Sequence, residues 1–284
     1  MRIDRAKRAE VLIEALPYIQ EYYNKIVVIK YGGNAMLNDE LKQQVMSDIL
    51  LLKLVGVKIV LVHGGGPEIN DLLSKVGKVS YKIEGLRVTD AETMDYVQMA
   101  LAGKVNKSLV NLLETKGGKA MGISGMDGSL IEAVQKSKEL GFVGDVTKVN
   151  PQPIYDLLEK DYIPVISSIA RDKEGNVYNV NADTVAGHIA AAINAECLIF
   201  MTDISGIMAR PYDSNSLIPV VDLALADKLY KDGVVTGGMI PKMECCVNAV
   251  KLGVKKVFIL DGRVPHSILL ETLTDEGSGT MFIK

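Results

Sequence analysis

Apolar positions along the chain fall into short β-branched runs alternating with stripes of helical period. Residues 26–33 read Ile-Val-Val-Ile-Lys-Tyr-Gly-Gly, and residues 57–66 read Val-Lys-Ile-Val-Leu-Val-His-Gly-Gly-Gly, with Pro67 next. Runs of this kind ending in glycine predict buried parallel strands whose carboxyl ends open into ligand loops. Between them, Leu41, Val45, Ile49 and Leu52 form the apolar face of a crossover helix over about 39–55. A helix at 67–76, a Gly-rich polar stretch from Gly77 to Asp90 and a helical region at 91–115 follow. Residues 119–124 and 162–167 read as strands, and Gly125 to Gly144 as a hairpin or an excursion over the ligand site.

The second half repeats the alternation. An alanine-rich helix follows Asn181-Ala182-Asp183, and then comes a strand at Cys197–Met201. A helix from about Gly238 to Leu252 carries Ile240, Met243, Val247 and Val250 on one face. A strand at Lys256–Leu260, a helix from Pro265 and a terminal strand near Gly279–Ile283 close the chain. Repeated β–α alternation predicts an α/β fold with a mainly parallel sheet covered on both faces. No Pro/Ser linker splits the chain, and a soft boundary falls near 175–180. Ahead of the first strand, Ile3, Ala6, Ala9, Leu12, Ile13 and Leu16 recur at helical spacing before Pro17. This stripe predicts a separate amphipathic helix that must be covered by its own subunit or by another.

Composition narrows the function classes. The 284 residues are 48% hydrophobic and 24% charged, with a formal charge of −3, which gives no support for nucleic acid as a main partner. Apolar runs such as Ile49–Leu52 are short and interrupted, so no membrane span is expected. Cys197, Cys245 and Cys246 make no disulfide framework and have no zinc spacing; they read as small core residues. Arg2, Arg5, Lys7 and Arg8 are interleaved with Asp4, Glu10 and Glu14, and no continuous apolar segment follows. That pattern argues against a targeting peptide and for a cytoplasmic location.

The glycine clusters carry the first chemical signal. Glycine lets backbone N–H groups approach an anion without an intervening Cβ. Pro67 suits the first turn of a helix, which places Gly64–Gly66 at a helix N-terminus, where phosphates and carboxylates bind. With Lys30 beside the first cluster, a phosphate site is expected. Neither a G-x-x-x-x-G-K-[ST] loop nor a G-x-G-x-x-G fingerprint is present. His63 reads as a packing or hydrogen-bonding group near the loop, Asp183 is compatible with a helix N-cap, and His188 and His266 are not read as catalytic.

Seven segments in order are similar to the amino-acid kinase family, and within it to the N-acetylglutamate kinases. They are Ile-Lys-Tyr-Gly-Gly-Asn (29–34), Val-His-Gly-Gly-Gly-Pro (62–67), Gly-Leu-Arg-Val-Thr (85–89) and Leu-Ala-Gly-Lys-Val-Asn-Lys (101–107). Asn-Val-Asn-Ala-Asp (179–183), Thr-Asp-Ile-Ser-Gly-Ile (202–207) and Gly-Gly-Met-Ile-Pro-Lys (237–242) complete the set. The resemblance implies a three-layer αβα sandwich. Residues 25–178 would form a lobe for the acyl amino acid and 179–284 a lobe for ATP. It implies ATP-dependent phosphorylation of the γ-carboxylate of N-acetyl-L-glutamate in arginine biosynthesis. Carbamate kinase or glutamate 5-kinase activity and a silent amino-acid sensor are the alternatives.

By that resemblance Lys30 and Lys242 neutralise the phosphoryl group from opposite sides, and Asp183 orients both lysines. Gly65, Gly66, Arg87, Asn179 and Asn181 hold the acyl amino acid, Arg87 as a bidentate clamp on its α-carboxylate. Gly32, Gly33, Thr202, Asp203, Ser205 and Gly206 meet the nucleotide, and Mg2+ arrives with ATP rather than in a dedicated cage of carboxylates. Ser124-Gly125-Met126-Asp127-Gly128 departs from the pattern, carrying methionine where many relatives have a polar residue, and no direct catalytic role is assigned to it.

The N-terminal extension, residues 1–24, resembles that of arginine-inhibited members, whose helices interlace three dimers into a hexameric ring. L-Arginine would bind between this helix and the C-terminal segment, with His266, Glu271, Glu276 and Gly277 as candidate contacts. A homohexamer inhibited by L-arginine is therefore expected, and a protein lacking residues 1–22 should be dimeric, active and insensitive.

Overall fold

A computed structural model describes residues 5–36, 38–210 and 213–284. Ile3, Arg2 and Asp4 of the N-terminal segment lie outside them. The chain opens with α1 (Arg5–Glu14), α2 (Leu16–Tyr22), β1 (Ile26–Tyr31), α3 (Asp39–Leu54), β2 (Lys58–His63) and α4 (Gly66–Lys75). Next come β3 (Lys82–Ile83), β4 (Leu86–Arg87), α5 (Ala91–Gln98), α6 (Asn106–Thr115), β5 (Ala120–Ser124), β6 (Ile131–Gln135) and β7 (Gly144–Val149). Then follow α7 (Gln152–Glu159), β8 (Ile163–Ser167), β9 (Ile169–Arg171), β10 (Val177–Asn179), α8 (Ala182–Ala192) and β11 (Cys197–Thr202). The chain ends with β12 (Val220–Val221), α9 (Leu223–Lys231), α10 (Met239–Lys251), β13 (Lys256–Asp261), α11 (Ser267–Leu273) and β14 (Thr280–Phe282).

Eight strands form one sheet in the order β12-β14-β13-β11-β1-β2-β8-β5. From β13 to β5 the neighbours run parallel, and β14 turns back antiparallel on β13. The period-2 alternation of side chains divides the core into two layers. Val28, Val60 and Leu198 face α8 and α10, whereas Val27, Ile29, Ile59 and Leu61 face α3, α6 and α11. The result is a three-layer αβα sandwich. Alanines on α8 let it approach α10 closely; a Cβ on Gly187 would sit 3.5 Å from that of Ala249.

Helix starts follow from local hydrogen bonding. The side chains of Asn38, Asp90 and Asp222 accept from backbone N–H groups in the first turns of α3, α5 and α9. At α8 the cap is Asn181, which accepts from the N–H groups of Asp183 and Thr184, so Asp183 is not the N-cap. That leaves the Asp183 carboxylate for another partner. The helical region at 91–115 is continuous, but Met99–Val105 is wound as a π-helix between α5 and α6.

The segment Gly125 to Gly144 contributes the β6–β7 hairpin, which joins β9 and β10 in a separate sheet of order β10-β9-β6-β7. Asp127 folds the Ser124–Gly128 turn back on itself, accepting from Ser124 N at 2.6 Å and Ser124 Oγ at 2.8 Å.

The N-terminal extension has two unlike parts. The two helices meet at Ala15, which keeps helical dihedrals, and Pro17 lies in the first turn of α2, where proline's missing N–H is harmless. Tyr22 of α2 is buried in the core layer that contains α11. On α1, by contrast, Leu12 is 73% and Ile13 68% exposed, and Val11 and Leu16 are also exposed. The described part of the apolar stripe is therefore left uncovered by the described residues of its own chain.

Candidate active site

The carboxyl ends of β1, β2 and β11 meet the N-termini of α4, α8 and α10 around a long cleft, the position where open α/β sheets bind ligands. Three connected spaces make it up. The first, of about 200 Å³, is lined by Lys30, Gly32, Gly33, Gly64–Gly66, Arg87, Asn179, Asn181 and Asp183, with Lys82, Ser168 and Leu101 completing the wall. The middle space shares Lys30, Gly32, Gly33, Gly66 and Asp183 with it and adds Thr202, Asp203 and Lys242. The third, of about 470 Å³, runs from Asp203 through Ser205 and Gly206 to Val234, Val235, Thr236, Met239 and Arg263. All the catalytic, substrate and nucleotide residues expected from sequence thus line one continuous cleft.

Lys30 reaches Asp183 at 2.8 Å, with only 12% of the lysine side chain exposed. Lys242 pairs instead with Asp203. Asp183 therefore touches one of the two lysines in this structure, whereas the family resemblance implies that it orients both. The Lys242 ammonium holds the Asp203 carboxyl below the ordinary carboxylate range. Gly32 sits under the first lysine, and a Cβ there would crowd Lys30 Nζ to 3.2 Å.

Gly65 caps α4 against the π-helix. A Cβ on it would lie 2.7 Å from Leu101 Cδ2 and 3.0 Å from Val105 Cγ2, so any side chain there would have to push both residues aside. Beside it, Arg87 is 7% exposed and donates to Asn70 Oδ1 at 2.5 Å, to Gly66 O at 3.3 Å and to Ser80 Oγ. No carboxylate pairs with it among the described residues, and burial lowers its pKa. A buried guanidinium held only by neutral acceptors is poised for an anion. Asn179 donates to Thr89 Oγ1 at 3.3 Å, which ties β10 to the loop after β4.

In the third space Ser205 Oγ donates to Asp261 Oδ2 at 3.1 Å. Burial pushes the Asp261 carboxyl up, but the Arg263 guanidinium and backbone N–H outweigh it and hold it low. Thr202 is internal to its turn, donating to Ile204 O at 3.1 Å. Lys82, Ser168, Val234, Val235, Thr236, Met239 and Arg263 also line the cleft without having been expected there. Of these, Met239 belongs to the recognised 237–242 segment and Thr236 adjoins it; the rest carry no local signal.

The four residues suggested for an effector cluster near α11. Ser278 N donates to Glu271 Oε2 at 2.7 Å, and Gly277 approaches the same carboxylate. His266 Nδ1 lies 2.6 Å from Asp48 Oδ1, whose carboxyl burial pushes up despite that bond. Glu276 is exposed, and its N–H donates to Thr274 Oγ1 at 3.4 Å. Cys197 and Cys246 are buried and Cys245 partly so; burial pushes the thiols of Cys197 and Cys245 to about 12, which makes them inert core groups.

Comparison with known proteins decides the family. Residues 25–261 match the model of the amino acid kinase family. The chain is 52% identical over 282 residues to acetylglutamate kinase of Clostridium beijerinckii, covering 98% of this chain and 99% of that one. It belongs to the acetylglutamate kinases of the amino acid kinase family. Acetylglutamate kinase of Synechococcus sp. is 53% identical over 281 residues, covering 99% of this chain and 90% of its own. Among solved structures, N-acetylglutamate synthase from Neisseria gonorrhoeae, complexed with coenzyme A and N-acetyl-glutamate, superposes with a TM-score of 0.84 at 24% identity. It covers 97% of this chain, which spans 63% of the synthase, and the likeness is one of fold. Among the described residues, no helix of this kinase is long and apolar enough to cross a membrane.

Proposed function

We infer that this kinase transfers the γ-phosphoryl group of ATP to the γ-carboxylate of N-acetyl-L-glutamate, forming the acyl phosphate used in arginine biosynthesis. The observation that carries the reading is that two lysines, Lys30 and Lys242, line the same middle space, between a buried arginine without a carboxylate partner and the larger third space. In-line phosphoryl transfer needs positioning and neutralisation of charge on the phosphoryl oxygens rather than covalent chemistry by the protein. A carboxylate nucleophile is ionised at neutral pH, so no general base is required.

Arg87 clamps the α-carboxylate of the substrate, and Asn179 and Asn181 face its acetamido end. Asn181 uses Oδ1 as the α8 cap, which leaves its Nδ2 for the ligand. Gly65 and Gly66 present backbone N–H groups to the reacting carboxylate, and Gly32 and Gly33 to the phosphates. Lys30, set by Asp183, and Lys242 neutralise the phosphoryl group. Thr202, Asp203, Ser205 and Gly206 border the nucleotide, with its base and ribose in the third space. ATP is taken as its Mg2+ complex, a substrate in which the phosphates supply metal ligands.

Residues 25–178 carry the acyl amino acid side and 179–284 the nucleotide side of a cytoplasmic enzyme. The exposed stripe on α1 joins copies into a hexameric trimer of dimers, and L-arginine at the His266, Glu271, Glu276 and Gly277 cluster inhibits by favouring a more open cleft. A coupled assay of ATP consumption with N-acetylglutamate, glutamate, aspartate and carbamate tests the reading. Turnover is expected with N-acetylglutamate; equal or higher turnover with carbamate or glutamate overturns it.

A further inference from the structure

His63 is the last residue of β2, fully buried immediately before the Gly64–Gly66 loop. Its two ring nitrogens have different partners. Nδ1 lies 2.9 Å from the carbonyl oxygen of Gly64, and Nε2 lies 3.0 Å from Nδ2 of Asn106. Asn106 is also buried, at the first position of α6 where the π-helix ends. Its amide orientation is set by its surroundings. Nδ2 faces the carbonyls of Val165 at 2.9 Å and Ile123 at 3.2 Å, which can only accept. Oδ1 faces the Lys107 ammonium at 3.1 Å, which can only donate.

These partners determine the state of the ring. Nε2 meets an NH2 group, which cannot accept and shares its two hydrogens among Nε2 and the two carbonyls, so Nε2 carries no proton; Nδ1 meets a carbonyl and must donate. Burial, helped by the Lys107 charge, depresses the ring pKa to about 4 against an opposing bond to Gly64, so the imidazole is neutral at physiological pH. The Gly64 carbonyl is thereby drawn toward the ring. Because the Gly64–Gly65 peptide is planar and trans, its N–H points the opposite way, away from His63. Gly64 N donates to Tyr31 O at 3.4 Å, which ties the other side of the loop to β1.

We propose that His63 and Asn106 are a positioning pair that locks the Gly64–Gly65 peptide with its N–H aimed at the reacting carboxylate. The proposal deepens the reading of Gly65 as a donor in the substrate site and rests on it. Neither side chain touches substrate. A peptide free to turn over would present a carbonyl oxygen where a donor is needed, and a donor misplaced by about 1 Å can cost on the order of 10² in rate. The pair also gives the π-helix a role, since Asn106 leaves that segment in the phase that brings its amide onto His63.

Two measurements test this, one of them independent of activity. The protein has three histidines, so ring nitrogen signals in the 15N spectrum of histidine-labelled protein can be assigned with the help of His63→Asn. The neutral Nδ1–H tautomer is expected for His63; an Nε2–H tautomer or an imidazolium at pH 7 overturns the proposal even if no variant folds. The second measurement compares His63→Asn, His63→Gln and Asn106→Asp. Asparagine keeps a donor at the Nδ1 position, glutamine keeps a polar atom near Nε2 only, and aspartate draws the ring proton to Nε2. His63→Asn should retain kcat within about threefold, whereas His63→Gln and Asn106→Asp should lose about 10- to 100-fold in kcat at similar KM for N-acetylglutamate. Equal losses in His63→Asn and His63→Gln at matched thermal stability overturn it. Failure of the wild-type protein to phosphorylate N-acetylglutamate would sink the assigned reaction but leave the tautomer result standing.

Discussion

The Lys30–Asp183 and Lys242–Asp203 pairs face the same middle space but are anchored differently. Lys30 projects from a central strand bonded on both sides, to β2 and β11, and its partner opens an alanine-rich helix packed on the sheet. Lys242 lies in the first turn of α10, after the Gly237-Gly238 pair, and Asp203 lies in the loop after β11 with 44% of its side chain exposed. A buried charge with its partner in place is costly to separate, while an exposed pair exchanges partners at little cost. The first pair is thus the fixed wall of the cleft. The second is the more exposed pair, and on the proposed reading Lys242 would leave it for the phosphates of a bound nucleotide.

The largest effect that could break this comparison is on turnover. Lys30→Ala and Lys242→Ala should each lower kcat by on the order of 10²–10³ with much smaller changes in KM, as removal of a preorganised charge does. Near-normal kcat in a folded Lys242→Ala protein would make that wall a bystander. On the fixed side, His63 sharpens the contrast through stability. Its folded pKa of about 4 lies below the ordinary 6.5, so the unfolded chain takes up the proton first as pH falls. This contribution is intact above pH 6.5 and is lost progressively toward pH 4, amounting to about 3 kcal/mol. Denaturant titrations across that window should show a slope that His63→Asn removes.

Smaller effects follow. Arg87→Lys should raise the KM for N-acetylglutamate about tenfold with modest change in kcat, because an ammonium cannot replace the planar fork; unchanged KM would remove Arg87 from the substrate clamp. Asp203→Asn should change kcat only a few-fold, since it weakens a partly exposed pair that, on the proposed reading, Lys242 gives up when nucleotide binds. A loss as deep as that of Lys30→Ala would show the second pair to be as fixed as the first. Least of all should turnover respond to deletion of residues 1–14, which removes α1 and leaves the buried Tyr22 in place. Light scattering should then show dimers in place of hexamers, with inhibition by L-arginine lost. A full-length dimer indifferent to arginine would end that part of the reading.

The sheet was legible because its strands are continuous β-branched runs, and those at 26–31, 58–63 and 197–202 carry their own boundaries in glycine or polar residues. The glycine clusters announced the ligand loops for the same local reason. Pairings between distant segments were not legible. Nothing near Lys242 marks Asp203, 39 residues earlier, as its partner, and the lone acid suited to both lysines was Asp183. Proximity of Asn181 to Asp183 made either an acceptable cap, and only the backbone geometry separates them. The π-helix was not legible because one extra residue only widens the spacing of apolar positions to four, as at Val97, Leu101, Val105, Leu109 and Leu113, a spacing that ordinary helices also use. The short strands β9, β10 and β12 offer too few positions for alternation to register.

That π-helix has a consequence for chain length. An α-helix advances about 100° per residue, so deleting one residue within Met99–Val105 would allow ordinary winding from α5 into α6. The wider π winding takes up one residue more than α winding over the same turn, so such a deletion would leave α5 and α6 close to their present phase, with Met94 and Val97 on one side and Leu109 and Leu113 on the other still facing the core. A deletion inside α5 or α6 has no such slack and would swing every later side chain by about 100° relative to those before it. The seven-residue stretch therefore holds one residue in reserve, and shortening by one is tolerated there where the regular helices on either side would not tolerate it.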